Sequence, residues 1–345
     1  MQSSGSSDSV SNPLKFSGYI ETYFGFDFGK PLTNNRPGFI YSHNRHNEVN
    51  LNLGFVKAAY QTSNVRGNLA LMTGTYANAN LSSEPGVAKN IFEANAGLRL
   101  SKTKNLWIDA GVFPSHIGFE STIGKDCWTL TRSILAENSP YYESGAKISY
   151  ASSNEKWFLS GLLLNGWQHI YRLEGNSTLA FGHQIIWKPN SKLTLNSSSF
   201  IGSDKPDSNR LMRYFHNLYG IYQLSNSLGL ILGFDMGAEQ KTKVSQDLNY
   251  WYSPVAILQI KTSDKLKLAV RGEYYQDINE VIIAKISPNG FQTLGYSINL
   301  DYEILKNAVW RIELKRFQSR DKIFVSDKVL SNNNFLAITA LLISF

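Results

Sequence analysis

The stretch KLKLAVRGEYY, Lys265 to Tyr275, changes character at nearly every position. On an extended chain Leu266, Leu268, Val270 and Tyr274 fall on one side, and Lys265, Lys267, Arg271 and Glu273 on the other. WRIELK repeats the pattern, with Trp310, Ile312 and Leu314 against Arg311, Glu313 and Lys315. So does LGYSINLDY, where Leu294, Tyr296, Ile298, Leu300 and Tyr302 oppose Gly295, Ser297, Asn299 and Asp301. Each strand has one oily and one polar face, so the fold turns on which face meets water.

Working outward, period-two alternation covers most of the 345 residues. Extended segments are expected at 16–28, 48–61, 65–76, 91–100, 106–113, 141–150, 156–165, 179–187, 193–202, 211–224, 227–239, 250–261, 265–275, 291–303, 308–318 and 334–345. That is about sixteen strands, with 14 or 18 as alternatives. Most approach the ~9 to 11 residues that a tilted strand needs to cross a bilayer. Connections such as TSN, SKTKN, KPNS and TSD are short, polar and turn-forming, and they alternate with long ones. An up-and-down antiparallel barrel in an outer membrane has this alternation, with turns at the periplasmic end and loops outside. A soluble sandwich has no reason to keep it.

Magnitudes then orient the strands. Three cationic side chains from Lys265, Lys267 and Arg271, turned toward lipid near the midplane, would cost about 2–4 kcal/mol each, or roughly 6–12 in all. That equals the whole stability of an ordinary domain. The reading is therefore an all-β transmembrane barrel, oily outside and wet within. Ser17, Tyr19, Glu21, Tyr23 and Asp27 are expected to line its lumen. WFLSGLLLN and the closing NFLAITALLISF are apolar on both faces, so the latter needs a loop or a neighbouring chain to cover its inner side. Tyr60, Tyr76, Tyr150, Trp157, Trp187, Tyr250, Tyr252, Tyr274 and Tyr302, near strand ends, fit interfacial girdles.

Composition agrees. No run approaches the ~18 to 20 apolar residues of a membrane helix. A single cysteine, Cys127, rules out an internal disulfide and a cysteine-based metal cluster. The +7 net charge is scattered without a basic patch, so no nucleic-acid partner is expected. MQSSGSSDSVSNP lacks a basic start followed by an apolar stretch; residues 1–15 are read as a flexible segment of a chain whose leader has been removed, and 16–345 as the barrel. The terminal Phe345 on the last strand fits an outer-membrane insertion signal.

The stretches FSGYIETYFGFD, YSHNRHNEVNLNLGFVKAAY, LWIDAGVFPSHIGFEST, TRSILAENSPYYESGAKISY and LLLNGWQ, within Phe16 to Gln168, resemble the OmpL-like β-barrel porin family common in Bacteroidetes. The resemblance implies an outer-membrane barrel with a channel role and no catalytic residues. The partners then expected are the lipid bilayer, small hydrophilic solutes, and either further copies of the chain or a larger outer-membrane complex. A closed barrel serving as a scaffold subunit is the alternative.

The connection from Pro114 to Pro140 is long enough to imply a function. It carries His116, Glu120, Lys125, Asp126, Trp128, Arg132 and Glu137. By analogy with general porins it is expected to fold into the lumen as a constriction, with a short helix in DCWTLTRSILAE. Lys265, Lys267, Arg271, Arg311 and Lys315 would face its acids as a charged row that sorts solutes. Alternatively, they pair with Glu273 and Glu313 and stiffen the wall. No cofactor or metal site is expected: His43 and His46 lack visible further ligands, and SDKPDSN lacks a calcium-loop pattern. No nucleophile elbow, phosphate loop or HExxH segment points to an enzyme.

Overall fold

The computed structural model describes residues 12–284 and 287–345. Strands β1 (Leu14–Asp27), β2 (Val49–Gln61), β3 (Val65–Thr73), β4 (Ile91–Arg99), β5 (Asn105–Pro114), β6 (Tyr142–Ala151), β7 (Trp157–Leu164) and β8 (Ala180–Asn190) form the first half of a single sheet. The second half is β9 (Leu193–Gly202), β10 (Arg213–Gln223), β11 (Leu228–Gln240), β12 (Leu248–Lys261), β13 (Leu266–Asp277), β14 (Phe291–Leu305), β15 (Ala308–Ser319) and β18 (Asn333–Ser344). Every neighbour pair is antiparallel, and β1 pairs with β18, Tyr19 opposite Ser344, to close a barrel of sixteen strands. A small hairpin, β16 (Phe324–Ser326) with β17 (Val329–Ser331), stands in the connection before β18.

Connections alternate as expected. Those at 62–64, 100–104, 152–156, 191–192, 224–227, 262–265 and 306–307 have two to five residues. Those at 28–48, 74–90, 115–141, 165–179, 203–212, 241–247, 278–290 and 320–332 have seven to twenty-seven.

The opening stretch behaves as its alternation demands. In β13 Val270 is exposed on the outer face, whereas Ala269, Arg271, Glu273, Tyr275 and Asp277 are buried inside. In β1 Tyr19, Glu21, Tyr23 and Asp27 likewise point inward and are buried. A bulge at Glu21/Thr22 turns Asn52 inward, where its Nδ2 donates to Glu21 Oε2 at 3.3 Å.

Several boundaries move. Leu14 and Lys15 already belong to β1, and residues 1–11 of the expected flexible segment lie outside the described residues. β3 stops at Thr73, not 76, because Gly74 (φ +125°) turns the chain into helix α1 (Thr75–Asn80). A Cβ on Gly74 would lie 2.4 Å from the Asn52 carbonyl oxygen, so only glycine fits. Tyr76 is therefore no girdle residue; it is buried inside against Tyr141, ring centroids 5.8 Å apart. Trp157 and Trp187 do face outward and stack at 5.6 Å near the short-turn end.

Candidate functional site

The connection 115–141 lies inside the barrel. From Pro114 it first crosses to the far wall. His116 Nε2 sits 2.8 Å from the Ser199 carbonyl of β9, Gly118 N donates to Asn217 Oδ1 of β10 at 3.3 Å, and Phe119 meets Tyr219. It then descends to β1 and β18. Lys125 N donates to the Tyr19 hydroxyl at 3.3 Å, and Lys125 Nζ to Ser344 Oγ at 2.6 Å. Ser344 ends β18 at the short-turn rim. From Asp27 to Tyr19 is eight residues of β1 (27 − 19), on the order of 20 Å of barrel height at the usual rise and tilt. The loop is thus a deep insert.

On its return the segment is clamped by β13, β14 and β15. Arg271 Nη1 donates to Thr129 Oγ1 and the Thr131 carbonyl, both at 2.7 Å. Glu313 accepts from Thr131 N at 2.6 Å and Thr131 Oγ1 at 2.9 Å, and Glu273 from Ile134 N. Lys315 Nζ donates to the Arg132 carbonyl at 2.9 Å, and Arg311 to the carbonyls of Gly124 (2.6 Å) and Cys127 (3.0 Å). Asn299 Oδ1 holds Leu130 N at 2.9 Å. The expected short helix is the single turn α2 (Ile134–Glu137), capped by Ser133 Oγ accepting from Ala136 N.

These contacts correct the expectation of a wet wall at β13–β15. Arg271, Arg311 and Lys315 are 2%, 1% and 1% exposed, and what they meet is loop backbone, threonine hydroxyls and wall acids, Asp301 among them. Nor do they oppose acids across a gap. Arg271 pairs with Glu313 at 2.9 Å on its own wall and with the loop's Glu120 at 3.5 Å, and Lys315 with Glu273 at 2.8 Å. Buried charges need such pairing with full hydrogen bonding. Lys265 leaves the wall altogether: it is exposed in the turn 262–265, because Thr262 and Ser263 bond Leu266 and start β13 one residue later. Lys267 is half-buried below the insert. Lys125 and Asp126 are exposed at its tip, and Trp128 is half-buried there.

Arg132 is enclosed within the loop itself, donating to the carbonyls of Ser121, Leu130 and Thr122. Glu120 accepts from Ser133 N at 3.0 Å. Glu137 accepts from Tyr41 N (3.0 Å) and Ser42 N (3.1 Å), joining the insert to the connection 28–48; burial raises its pKa. Burial also pushes the Cys127 thiol up to about 11.

The insert explains the doubly apolar final strand. Leu336, Ile338, Ala340 and Leu342 face inward and pack in one buried cluster with Leu130, Leu135 and Ala136 of the loop. At the long-loop end a second cluster joins Phe291 and Phe317 to Phe39 and Phe324, with Phe39 and Phe291 ring centroids 4.8 Å apart.

Loop contacts on the wall of β2–β6 gather at its loop-side end, where Asn52 accepts from His43 N and Glu143 from Ser115 Oγ, and among the described residues none reaches the charged groups of its turn-side half. On β2–β6 the half-buried Lys57, Arg66, Asn68, Asn95 and Lys147 face the lumen. Lys57 pairs with Glu93 at 2.7 Å, Arg66 with Asp109, and Arg66 covers the Trp107 ring at 4.4 Å. The site expectations missed these residues. The alternation in VRGNLAL and GAKISY would have found them, had it been carried beyond the three most charged strands. Above the insert lies a cavity of about 270 Å³ lined by Tyr41, Asn80, Glu137, Asn138, Gln168 and Arg213.

His43 and His46 meet separate partners: His43 Nε2 lies 2.9 Å from Glu21 Oε1, and His46 Nδ1 accepts from Asp27 N at 2.9 Å. Asp204 and Asp207 of SDKPDSN are engaged by Arg213 and by Ser177.

A closed antiparallel barrel of sixteen strands, with short turns at one rim and an infolded third loop, is the architecture of outer-membrane porins. The chain belongs to the family described as "Putative beta-barrel porin-2, OmpL-like", whose model matches residues 13–345. The match runs through the second half of the barrel, beyond the stretches that carried the resemblance. Among solved structures the chain is similar to the anion-selective porin from Comamonas acidovorans, at TM-score 0.62 and 7% identity, covering 96% of this chain and 99% of that one. OmpT of Vibrio cholerae in its trimer form gives TM-score 0.60 and 10% identity over 96% and 99%. OprB of Pseudomonas putida gives 0.60 and 10% over 97% and 95%. At such identities the likeness is one of fold. No curated protein matches the chain.

Proposed function

We propose that the protein is an outer-membrane channel for passive diffusion of small hydrophilic solutes, with the insert 115–141 as its constriction. The long loops face outward and the short turns the periplasm. One observation carries the reading. The insert is bonded to β8–β10, β13–β15, β18 and β1, and the inner wall of β2–β6 keeps half-exposed polar and charged groups. Solutes would pass along that wall, sorted by size and by its charges. Lys57, Arg66 and Lys147 against Glu93 and Asp109 leave one positive charge (3 − 2), a slight bias toward anions.

A second reading, a closed barrel serving as scaffold in a larger assembly, is favoured by the aromatic layer of Phe39, Phe291, Phe317 and Phe324. Planar-bilayer recording separates the two. The channel gives discrete steps in the intact protein and larger ones after deletion of 116–139. A silent intact protein that conducts only after deletion supports the scaffold, and unchanged conductance after deletion removes the constriction.

A further inference from the structure

Five of the long connections converge on the cavity of about 270 Å³ above the insert. Tyr41 comes from 28–48, Asn80 from the end of α1, Glu137 and Asn138 from the insert, Gln168 from 165–179 and Ile282 from 278–290. It is a small, polar pocket at the long-loop end, of the kind that holds one small solute.

What these groups offer a solute is mainly acceptors. Asn138 Nδ2 donates to the carbonyls of Ile134 at 2.8 Å and Phe39 at 3.2 Å, which fixes the amide and leaves its Oδ1 for the cavity. Asn80 Nδ2 turns back on the Tyr76 carbonyl at 3.4 Å and likewise leaves its Oδ1. Neither oxygen has a donor among the described residues. Glu137 is buried and accepts only the backbone N–H groups of Tyr41 and Ser42, so its carboxylate keeps lone pairs in reserve. Among the described residues no basic side chain forms a salt bridge with it, and Arg132 and Lys315 act on it only through space. The cations at the cavity are already engaged elsewhere: Arg213 by Asp204 at 2.9 Å and Glu239 at 2.7 Å, His169 by Glu84 at 3.8 Å. Glu137 is thus a buried carboxylate beside open space, and such a group calls for a counter-ion.

We propose that this cavity binds the ammonium end of a small primary amine. One carboxylate and two amide oxygens make three acceptors, and a primary ammonium brings three N–H donors with one positive charge. An anion would face Glu137 and the two amide oxygens with nothing to donate. A neutral polyol brings donors but leaves the carboxylate without a counter-ion. Tyr41, Val281 and Ile282 give the cavity an apolar side for the carbon chain of the amine. The site rests on the proposed function only in lying at the outer mouth, and it does not need the barrel to conduct.

The test titrates the full chain in lipid nanodiscs with n-butylammonium, followed by ligand-detected NMR and referenced to empty nanodiscs. Tetramethylammonium, which has the charge but no N–H donor, and n-butanol, which has no charge, should each bind on the order of tenfold more weakly. Glu137→Gln should weaken n-butylammonium by on the order of tenfold, whereas Glu155→Gln, in an exposed short turn, should bind as the parent does. Because Glu137 also holds the connection 28–48, Asn80→Leu on α1 is the second variant. It removes one acceptor without touching the insert's own bonds and should weaken binding several-fold, with folding checked by heat-modifiable gel mobility. No binding to the intact protein, tetramethylammonium as tight as n-butylammonium, equal losses at positions 137 and 155, or full binding in Asn80→Leu would each overturn the proposal. The readout needs no current. A silent barrel that binds the amine removes the channel alone, and a conducting barrel that binds none removes this site alone.

Discussion

Lys315 on the barrel wall and Arg132 in the insert meet as donor and acceptor: the ammonium of one donates to the backbone carbonyl of the other at 2.9 Å, both side chains buried. A cation thus serves as a main-chain anchor, and Glu273, 2.8 Å from the same nitrogen, neutralises it. Of the two readings the sequence left open for this row, sorting of solutes or pairing with Glu273 and Glu313, the contacts are those of the second: Arg271 meets Glu313 at 2.9 Å and Lys315 meets Glu273 at 2.8 Å.

Glu313 accepts from both the insert's Thr131 and the wall's Arg271. Glu313→Gln leaves Arg271 undercompensated in a buried site, which should cost about 3–5 kcal/mol. Urea unfolding in detergent measures the loss. Cys127 reports the location: its buried thiol should resist maleimide in the parent and react several-fold faster in the variant. Equal labelling rates would show that Glu313 does not hold the loop.

Arg66 and Lys265 make a contrasting pair. Arg66→Glu reverses a charge on the turn-side inner wall of β2–β6 and should move the reversal potential of a salt gradient toward cations. Lys265→Glu, in an exposed turn, should leave it within error. If both variants shift it equally, the conducting path does not follow β2–β6.

Gly74→Ala combines a forbidden φ with a 2.4 Å approach to Asn52. A loss of roughly 1–3 kcal/mol is expected, read as a lower midpoint in heat-modifiability gels. Gly38→Ala, where a Cβ meets nothing within 4 Å, should be near neutral.

His169, in the connection 165–179, lies 3.8 Å from Glu84 and 4.0 Å from Asp204, and the Glu84 carboxylate raises its pKa. A raised pKa means the charged clasp stabilises the loops fully below the ordinary histidine range and is lost as pH climbs through the raised value. Proteolysis of 165–179 should therefore speed up with rising pH across neutrality. His169→Gln should flatten that dependence, and an unchanged profile would exclude the clasp.

Much of the barrel could be read directly because its physics is local. Alternation in β13, β14 and β15 fixes which side chain goes in, and turn chemistry at Thr262 and Ser263 fixes the rim to within a residue. The contents of the lumen were less legible. Arg271 inside a barrel reads the same whether it meets water or the Thr131 carbonyl, since the partner is 140 residues away. The final strand gave the one clue: Leu336, Ile338, Ala340 and Leu342 need an oily cover, which the loop supplies. Tyr76 was misplaced because alternation runs smoothly through Gly74, and only φ marks the break.

The order in which the polypeptide is made gives the insert a further meaning. Tyr19, Tyr41 and Ser42 precede it, but its charged anchors Arg271, Arg311, Glu313 and Lys315, and its cover Leu336 to Leu342, emerge after it, and Thr131 waits 182 positions for Glu313. Until β18 zips onto β1, the segment lacks its apolar cover and the last strand has nothing to hide against. Sealing the cylinder and seating its contents are then one concerted event, in which an incomplete chain would be recognisable by a loose, protease-sensitive interior.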